Sequence, residues 1–259
     1  MEGLDIIGNI AILKFSRGTS KQEKFKTARE IMKEHKNIIS VLEKSERIKG
    51  RLRTFKTAFL FGEKTKETLH KENNCIFKLN VEETYFSPRL SNERLEIAKQ
   101  VKKGEKVLVL FAGIAPYSIV IAKLAKPKIV YSIEINKKAC EYARENVQLN
   151  RIDNVKIIQG DVKKIIPKLK KEKRQNLKFD RIVMPRPQLK ETFLHEAFSI
   201  TKRGGIINYY GFGKFGQDIV NEVEREAKKA KKKINIIKIK RAGELAPYKF
   251  RWRIDFKVR

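Results

Sequence analysis

Short apolar runs recur through the second half of the chain, and stretches of helix length separate the first five of them. The runs cover residues 106–111, 128–133, 155–159, 180–184, 205–210, 235–240 and 252–258. Strands that alternate with helices form parallel βαβ units, so the pattern predicts a doubly wound α/β sheet of seven strands with helices on both faces. Only residues 241–251 connect the last two runs, which predicts an antiparallel edge on this mostly parallel sheet.

The first part of the chain has a different rhythm, in which β-like runs alternate with basic loops. The runs cover residues 5–15, 37–42, 53–61 and 75–81, and one helix-like stretch covers 21–36. This pattern predicts a small α+β domain at residues 1–84. The larger α/β domain then covers residues 85–259 and begins with an amphipathic helix over 91–103.

The charge of the chain adds a candidate partner. Sixty Lys and Arg oppose thirty Asp and Glu, which gives a formal net charge of +30. A field of that size attracts polyanions such as RNA. A lysine-rich proteome produces the same composition, so the charge alone leaves both explanations open.

Cysteine and histidine usage predicts neither a disulfide framework nor a metal site. Cys75 and Cys140 are far apart in sequence, and the three histidines lack metal-ligand spacing. The first residues lack the basic lead and apolar block of a signal peptide. No run of about 18 apolar residues is present that could span a membrane. We therefore expect a cytoplasmic protein.

Candidate ligand-binding residues stand at the ends of the first three predicted strands of the larger domain. The first strand runs into a turn at Gly113, where the missing Cβ lets the backbone approach a ligand. Glu134 follows 21 residues later with Asn136 beside it, and Asp161 with Val162 ends the third strand. An acid at this place often accepts hydrogen bonds from a ribose, although each polar residue would serve equally as a helix cap. In order and at strand ends, they predict a nucleoside pocket.

The fourth strand ends in a stiff loop that contains Pro185 and Pro187. Proline stops a strand and restricts the residue before it, so the two prolines hold an extended segment at the same edge of the sheet. A plain strand stop explains them equally well.

Several motifs together resemble the archaeal and eukaryotic tRNA (guanine-N(1)-)-methyltransferases, which modify the guanosine on the 3′ side of the anticodon, position 37. The motifs are YFSPRLSNER, FAGIAPYS, IEIN, GDV, the Met-Pro-Arg-Pro loop, GGIINYYGFGK, IIGNIAIL and GRLRTFK. The resemblance implies a class I fold that uses S-adenosyl-L-methionine as cofactor and the anticodon loop and stem of tRNA as partner. It implies no membrane association and no obligate protein partner.

The resemblance also implies roles for individual residues. Glu93 matches the family's proposed general base, and Arg53 matches an arginine that helps to hold the target guanine. Tyr85 and Arg89 lie in the motif that contacts the substrate. The implied cofactor-binding residues are Arg94, Phe111, Gly113, Glu134, Asn136, Asp161, Val162, Pro185 and Pro187.

The sequence departs from the family's pattern at three points. Val109 stands where members often have an acid, and the usual Asn-Leu-Pro reads Pro185-Arg186-Pro187. Pro185 therefore removes a side-chain amide that holds the base. Many members also carry an extra N-terminal domain that touches the tRNA elbow, and this chain begins close to the second domain. We expect the elbow contact either to be missing or to be supplied by the basic surface.

Two other functions remain open on the sequence. A relative on the same nucleoside transfers the cofactor's aminocarboxypropyl group during wyosine synthesis, or additionally methylates a carbon of the tricyclic intermediate. A non-catalytic RNA-binding module on a methyltransferase scaffold is the alternative from another class. The presence of Arg53, Glu93, Glu134 and Asp161 together favours an enzyme.

Overall fold

The first part of the chain forms a four-stranded sheet, one helix and a separate hairpin. The computed structural model describes residues 1–46, 50–172, 177–186 and 188–259. The elements are β1 (Gly3–Ile7), β2 (Ile10–Lys14), α1 (Lys21–Glu34), β3 (Ser40–Lys44), β4 (Thr57–Gly62), β5 (Glu67–Glu72) and β6 (Cys75–Asn80). The sheet has the order β1-β2-β3-β4, and α1 crosses over between the parallel strands β2 and β3. This confirms both helix and sheet in the predicted α+β region.

Two predictions for this region were wrong in detail. The run at 5–15 is a hairpin, because the chain turns at Gly8 with φ 58°. A Cβ on Gly8 would lie 2.2 Å from Thr68 Oγ1 and 2.3 Å from the carbonyl oxygen of Leu69, so glycine is required. Strand β5 was not predicted, since its sequence ETLHKE contains a single aliphatic residue.

The second part of the chain forms the seven-stranded sheet. Its elements are α2 (Ser91–Gln100), β7 (Lys106–Leu110), α3 (Pro116–Ala125), β8 (Ile129–Glu134), α4 (Lys137–Leu149), β9 (Val155–Gln159), α5 (Val162–Glu172), β10 (Phe179–Met184), α6 (Leu194–Ile200), β11 (Thr201–Gly213), α7 (Gly216–Lys229), β12 (Ile234–Ala246) and β13 (Lys249–Val258). The strand order is β12-β13-β11-β10-β7-β8-β9, and β13 is antiparallel to both neighbours. The predicted class I methyltransferase fold, mostly parallel with an antiparallel edge, is confirmed.

The edge strands are longer than predicted. Residues 241–251 were expected as a connection, yet β12 and β13 continue through them until only Pro247 and Tyr248 remain as the turn. Most of β12 is exposed, so its sequence lacks the apolar alternation that marks a half-buried strand. Backbone pairing with β13 extends it instead.

The hydrophobic core covers both faces of the large sheet and reaches the hairpin β5–β6. Cys75, Phe77 and Leu79 of β6 are buried in the same cluster as Ile114 and Val120 next to and within α3. The hairpin is thus packed onto the larger unit, and the division at residues 84 and 85 stays a prediction. No helix among the described residues is long and apolar enough to cross a bilayer.

Candidate active site

The turn that follows β7 is backbone-strained. Phe111, Gly113 and Ala115 have φ values of 58°, 57° and 65°, so three alternate residues occupy the left-handed region. Such conformations cost free energy in residues that carry a Cβ, and they collect at ligand-binding sites. The turn directs the N–H of Gly113 to Oε2 of Glu134 at 2.8 Å. It therefore joins the ends of the two neighbouring strands β7 and β8.

Glu134 receives hydrogen bonds on both carboxylate oxygens. The N–H of Gly113 donates to Oε2, and the N–H of Asn136 donates to Oε1 at 2.7 Å. Burial raises the pKa of this carboxyl above 4.5, and the two N–H groups oppose that shift. Each oxygen keeps a lone pair for a ligand hydroxyl.

A cavity opens at this edge of the sheet. Five of the residues predicted to bind the cofactor line it, and they are Phe111, Gly113, Glu134, Asn136 and Pro185. We call it the first cavity. The side chain of Asn136 is also the cap of α4, because its Oδ1 accepts from the N–H groups of Lys138 and Ala139. Pro187, predicted for the same group, lies outside the described residues.

Asp161 and Val162 line a smaller adjoining cavity, the second cavity, which shares Phe111 with the first. Nη2 of Arg51 lies 2.6 Å from Oδ2 of Asp161. Although burial opposes it, this bond and the N–H of Lys163 lower the pKa of Asp161 below its usual value. Asp161 is thus an ionised acceptor that the small domain already contacts.

A third cavity lies between the four-stranded sheet and the hairpin β12–β13. It shares Arg53, Tyr85, Leu90 and Arg251 with the first cavity. Arg89 lines it too, and its Nη2 lies 2.8 Å from Oδ1 of Asp5. Apart from Arg94 and the undescribed Pro187, the residues predicted to bind cofactor and those predicted to bind substrate therefore line adjoining cavities.

Arg53 is held in an unusual position at the junction of these cavities. It has φ 61°, and its guanidinium carbon lies 5.6 Å from the centre of the Tyr85 ring. Its Nε is buried and makes no hydrogen bond to the described part of the chain. An unpaired buried donor costs free energy, so this N–H is available to an acceptor on a ligand.

Glu93 is buried behind the wall of the first cavity. Its Oε2 accepts from Nη1 of Arg253 at 2.6 Å and from the hydroxyl of Tyr210 at 3.0 Å. Its Oε1 accepts from Nζ of Lys240 at 2.6 Å. Tyr210 lines the first cavity, so its hydroxyl connects the carboxylate to that space.

The two cations that hold Glu93 come from the edge hairpin. Lys240 of β12 faces Arg253 of β13 across the strand pair. Like charges directly opposite each other destabilise a strand pair. Glu96, one turn after Glu93 in α2, bonds the same two cations and offsets their repulsion. The hairpin and α2 thus hold the carboxylate in one position.

Arg94 does not line any of the three cavities. Its guanidinium makes two hydrogen bonds to the carboxylate of Glu72 in β5, and Nη2 donates to the carbonyl oxygen of Ser87 at 3.0 Å. Arg94 is almost completely buried and connects α2 to the hairpin β5–β6. Its predicted contact with the cofactor stays a prediction.

Sequence reasoning missed several residues that line the first cavity, among them Arg51, Tyr117, Tyr210 and Arg251. Tyr210 belongs to the GGIINYYGFGK motif, which was a signal for it. Arg51 lies two residues from Arg53, while nothing local distinguishes Tyr117 or Arg251. These side chains come together only through the sheet order.

The chain is similar to known proteins in sequence and fold. The family described as the TRM5/TYW2 methyltransferase domain matches residues 68–237. Trm5b of Pyrococcus abyssi, a tRNA (guanine(37)-N(1))-methyltransferase, is 37% identical over 98% of this chain and 74% of its own length. Taw22 of Nanoarchaeum equitans, named tRNA (guanine(37)-N(1))/4-demethylwyosine(37)-methyltransferase, is 33% identical over 97% of this chain and 98% of its own.

Two solved structures superpose over the whole chain. The complex of aTrm5 with tRNALeu has a TM-score of 0.87 at 27% identity, with 100% of this chain and 72% of that chain covered. Methanocaldococcus jannaschii Trm5 in complex with adenosine has a TM-score of 0.83 at 27% identity, with 100% and 74% covered. This chain belongs to the TRM5/TYW2 methyltransferase family.

Proposed function

We propose that this protein transfers a methyl group from S-adenosylmethionine to ring nitrogen 1 of guanosine 37 in tRNA. One observation carries the proposal: the first and third cavities share Arg53, Tyr85, Leu90 and Arg251. A methyl donor in one cavity and a guanine in the other would meet at these residues. The relative from Pyrococcus abyssi carries the same activity in its name.

The first and second cavities fit the nucleoside end of the cofactor. The carboxyl group of Glu134 offers two oxygens with free lone pairs for ribose hydroxyls, and Asp161 offers an acceptor for an adenine amino group. Phe111 and Gly113 bring backbone close to the space between them. When bound, S-adenosylmethionine supplies an electrophilic methyl group.

The residues of the chain then have to position and deprotonate the guanine. Nitrogen 1 carries a proton at neutral pH and becomes a good nucleophile only when that proton leaves. In this proposal the hydroxyl of Tyr210 takes the proton of nitrogen 1 as it passes its own proton to the carboxylate of Glu93, which is therefore the base. The unpaired Nε of Arg53 donates to the guanine oxygen and stabilises the negative charge that develops there.

Tyr85 supplies a flat surface for the extruded base. A guanine in a stacked anticodon loop must leave the stack before its nitrogen 1 can approach a methyl donor. Tyr85 lines both cavities, and the guanidinium carbon of Arg53 lies 5.6 Å from the centre of its ring. We infer that it stacks on the target guanine.

The proposal is tested with labelled cofactor and two tRNA transcripts that differ only at position 37. With guanosine at that position, the label should enter the RNA. Substitutions in either of the two cavities should reduce this incorporation. With adenosine there, incorporation should stop while tRNA binding persists. Equal incorporation into both transcripts would remove guanosine 37 as the target.

A second candidate function is methylation of the wyosine intermediate by the same site. Taw22 matches this chain over nearly the full length of both proteins, and its name includes both reactions. A tRNA that carries 4-demethylwyosine at position 37 tests it directly. Transfer of the labelled methyl group to that base, in addition to guanosine 37, would identify a bifunctional enzyme. Transfer of an aminocarboxypropyl group instead would identify the other wyosine reaction. Tight RNA binding without any product gives the non-catalytic module.

A cytoplasmic location is part of the proposal, because the tRNA substrate is found there. Cell fractionation followed by detection of the protein and of methylated tRNA in the same fraction tests it. Recovery of the protein with membranes would contradict it.

A further inference from the structure

Four side chains at the end of the edge hairpin form an exposed apolar surface with a cation at its centre. We call it the tip surface, and it consists of Lys214, Phe215, Leu245 and Tyr248. Tyr248 is 75% exposed, Phe215 57% and Leu245 41%. Single exposed apolar side chains are ordinary, but a group of them marks an interaction site.

The two rings converge on one ammonium group. Nζ of Lys214 lies 5.1 Å from the centre of the Phe215 ring and 5.6 Å from that of Tyr248. Both distances lie within the range of a cation–π contact. Flat rings beside a cation match the chemistry of an unpaired nucleotide, whose base stacks and whose phosphate binds the charge.

One residue of the tip surface also lines the third cavity. Leu245 lines the third cavity, and so does Arg251, which also lines the first. The guanidinium carbon of Arg251 lies 5.4 Å from the ring centre of Phe212, two residues before Lys214. A nucleotide on the tip surface would therefore be a close neighbour of a base in the third cavity.

We propose that the tip surface stacks an unpaired anticodon-loop nucleotide adjacent to the target guanosine, while Lys214 binds its phosphate. The inference rests on the proposed function, since it takes tRNA as the substrate. The net charge of +30 favours a polyanion over an apolar protein partner at this place. The surface holds the neighbouring nucleotide out of the stack and thereby keeps the target base extruded.

The first test removes the rings. Tyr248→Leu and Phe215→Leu keep side-chain bulk but abolish stacking, and Tyr248→Phe keeps the ring. Loss of one stacked base weakens binding roughly tenfold. The two leucine variants should raise the Kd for tRNA by about that factor, and Tyr248→Phe should stay near wild type. All variants should melt like the parent protein and bind S-adenosylhomocysteine normally, because these side chains are exposed.

A matched control is present in the small domain. Phe59 of β4 is 38% exposed with Nζ of Lys64 5.8 Å from its ring centre, and it is not among the residues that line the three cavities. Phe59→Leu should leave the Kd for tRNA unchanged. A loss equal to that of Tyr248→Leu would overturn the proposal, because the effect would not be specific to the tip surface.

A fluorescent base reports stacking directly. An anticodon stem-loop with 2-aminopurine next to guanosine 37 should lose fluorescence on binding the wild-type protein and retain it with Tyr248→Leu. Lys214→Gln should lower the slope of log Kd against log salt by about 0.7 to 1, the value for one phosphate. Unchanged quenching in both leucine variants would overturn the proposal.

The same preparations separate this inference from the proposed function. If wild type methylates guanosine 37 and the leucine variants bind and react like it, the tip surface is not the stacking site and the enzyme assignment stands. If the leucine variants lose RNA affinity while wild type makes no 1-methylguanosine, the surface binds RNA and the assignment fails.

Discussion

The ionised form of the Glu134 carboxyl is disfavoured by burial, yet the proposed contact with the ribose requires it. Burial raises the pKa of its carboxyl above 4.5, while the N–H groups of Gly113 and Asn136 favour the ionised form. Only the ionised form has all its lone pairs available for ribose hydroxyls. Cofactor affinity should therefore be complete above the raised pKa and fall as the pH decreases through it.

Calorimetry with S-adenosylhomocysteine over a range of pH measures this dependence. Glu134→Ala should lose about 1–3 kcal/mol of binding free energy at neutral pH, the usual loss for a buried charged hydrogen bond. Glu134→Gln should bind weakly with little pH dependence in the acidic range. A wild-type affinity that stays constant through that range would contradict an ionised Glu134 at the ribose.

Substitutions of Glu93 and Glu96 distinguish a catalytic role from a role in ion pairing. Both carboxylates bond Lys240 and Arg253, yet only Glu93 reaches the cavity wall through Tyr210. Glu93→Gln should slow single-turnover methyl transfer by roughly 10²- to 10⁴-fold, the range for loss of a general base. The affinity for S-adenosylhomocysteine should stay near normal.

Glu96→Gln is the matched control, because it weakens the same ion pairs without touching the cavity. It should react at close to the wild-type rate. Equal slowing in both variants would mean that the effect comes from displacement of the hairpin β12–β13. An unchanged rate in Glu93→Gln would show that Glu93 is not the base.

Residues at strand ends were the part of the site that the sequence predicted best. Gly113, Glu134 and Asp161 each follow an apolar strand, so their places at one edge of the sheet follow from the βαβ order. Tyr210 and Arg251 reach the same cavity from strands whose order is not written in local sequence. Asp161 was predicted as a nucleoside contact, but its partner Arg51 comes from 110 residues away.

At the scale of elements, helix α4 and its C-cap residue hold the hairpin β5–β6 with side-chain amides. These amides pair with the backbone of β6 as a neighbouring strand would. Asn146 exchanges two hydrogen bonds with the backbone of Lys78, at 2.6 and 3.0 Å. Asn150 does the same with Ile76, at 2.9 and 2.6 Å. Four residues of helix rise about 6 Å and two residues of strand about 6.6 Å, so the two spacings match.

Loss of either amide should destabilise the protein. Both asparagines are buried, so Asn146→Ala or Asn150→Ala leaves an N–H and a carbonyl of β6 without partners. We expect each substitution to lower the free energy of unfolding by about 1–3 kcal/mol in urea titrations. Asn221→Ala on the exposed face of α7, where Gln217 is the bonding partner, should change it by less than about 0.5 kcal/mol. Equal effects at all three sites would contradict the docking role.

The elements that sequence reasoning missed are those that gain little from burial. Strand β5 and the outer half of β12 are largely polar and exposed, and they form because a partner strand completes their hydrogen bonds. The strands with buried apolar runs, such as β7 and β10, were predicted within one residue. Hydrophobic periodicity reports burial, so it does not report strands that are held by pairing alone.

The charge of the whole molecule sets how it meets tRNA. With +30 in net charge, phosphate contacts should dominate the affinity. A protein that neutralises about four phosphates loses roughly two decades of affinity between about 50 and 200 mM salt. Filter binding with full-length tRNA should show a slope of this size, while the affinity for S-adenosylhomocysteine changes much less. A flat tRNA response would contradict a charge-driven encounter.

The central claim is that two adjoining cavities bring a methyl donor to nitrogen 1 of guanosine 37. Nucleoside mass spectrometry of unmodified tRNA, after reaction with the wild-type protein and S-adenosylmethionine, tests it most directly when the modified fragment is also sequenced. The expected product is 1-methylguanosine at position 37. An aminocarboxypropyl product, a methyl group at another position or unmodified tRNA would contradict it.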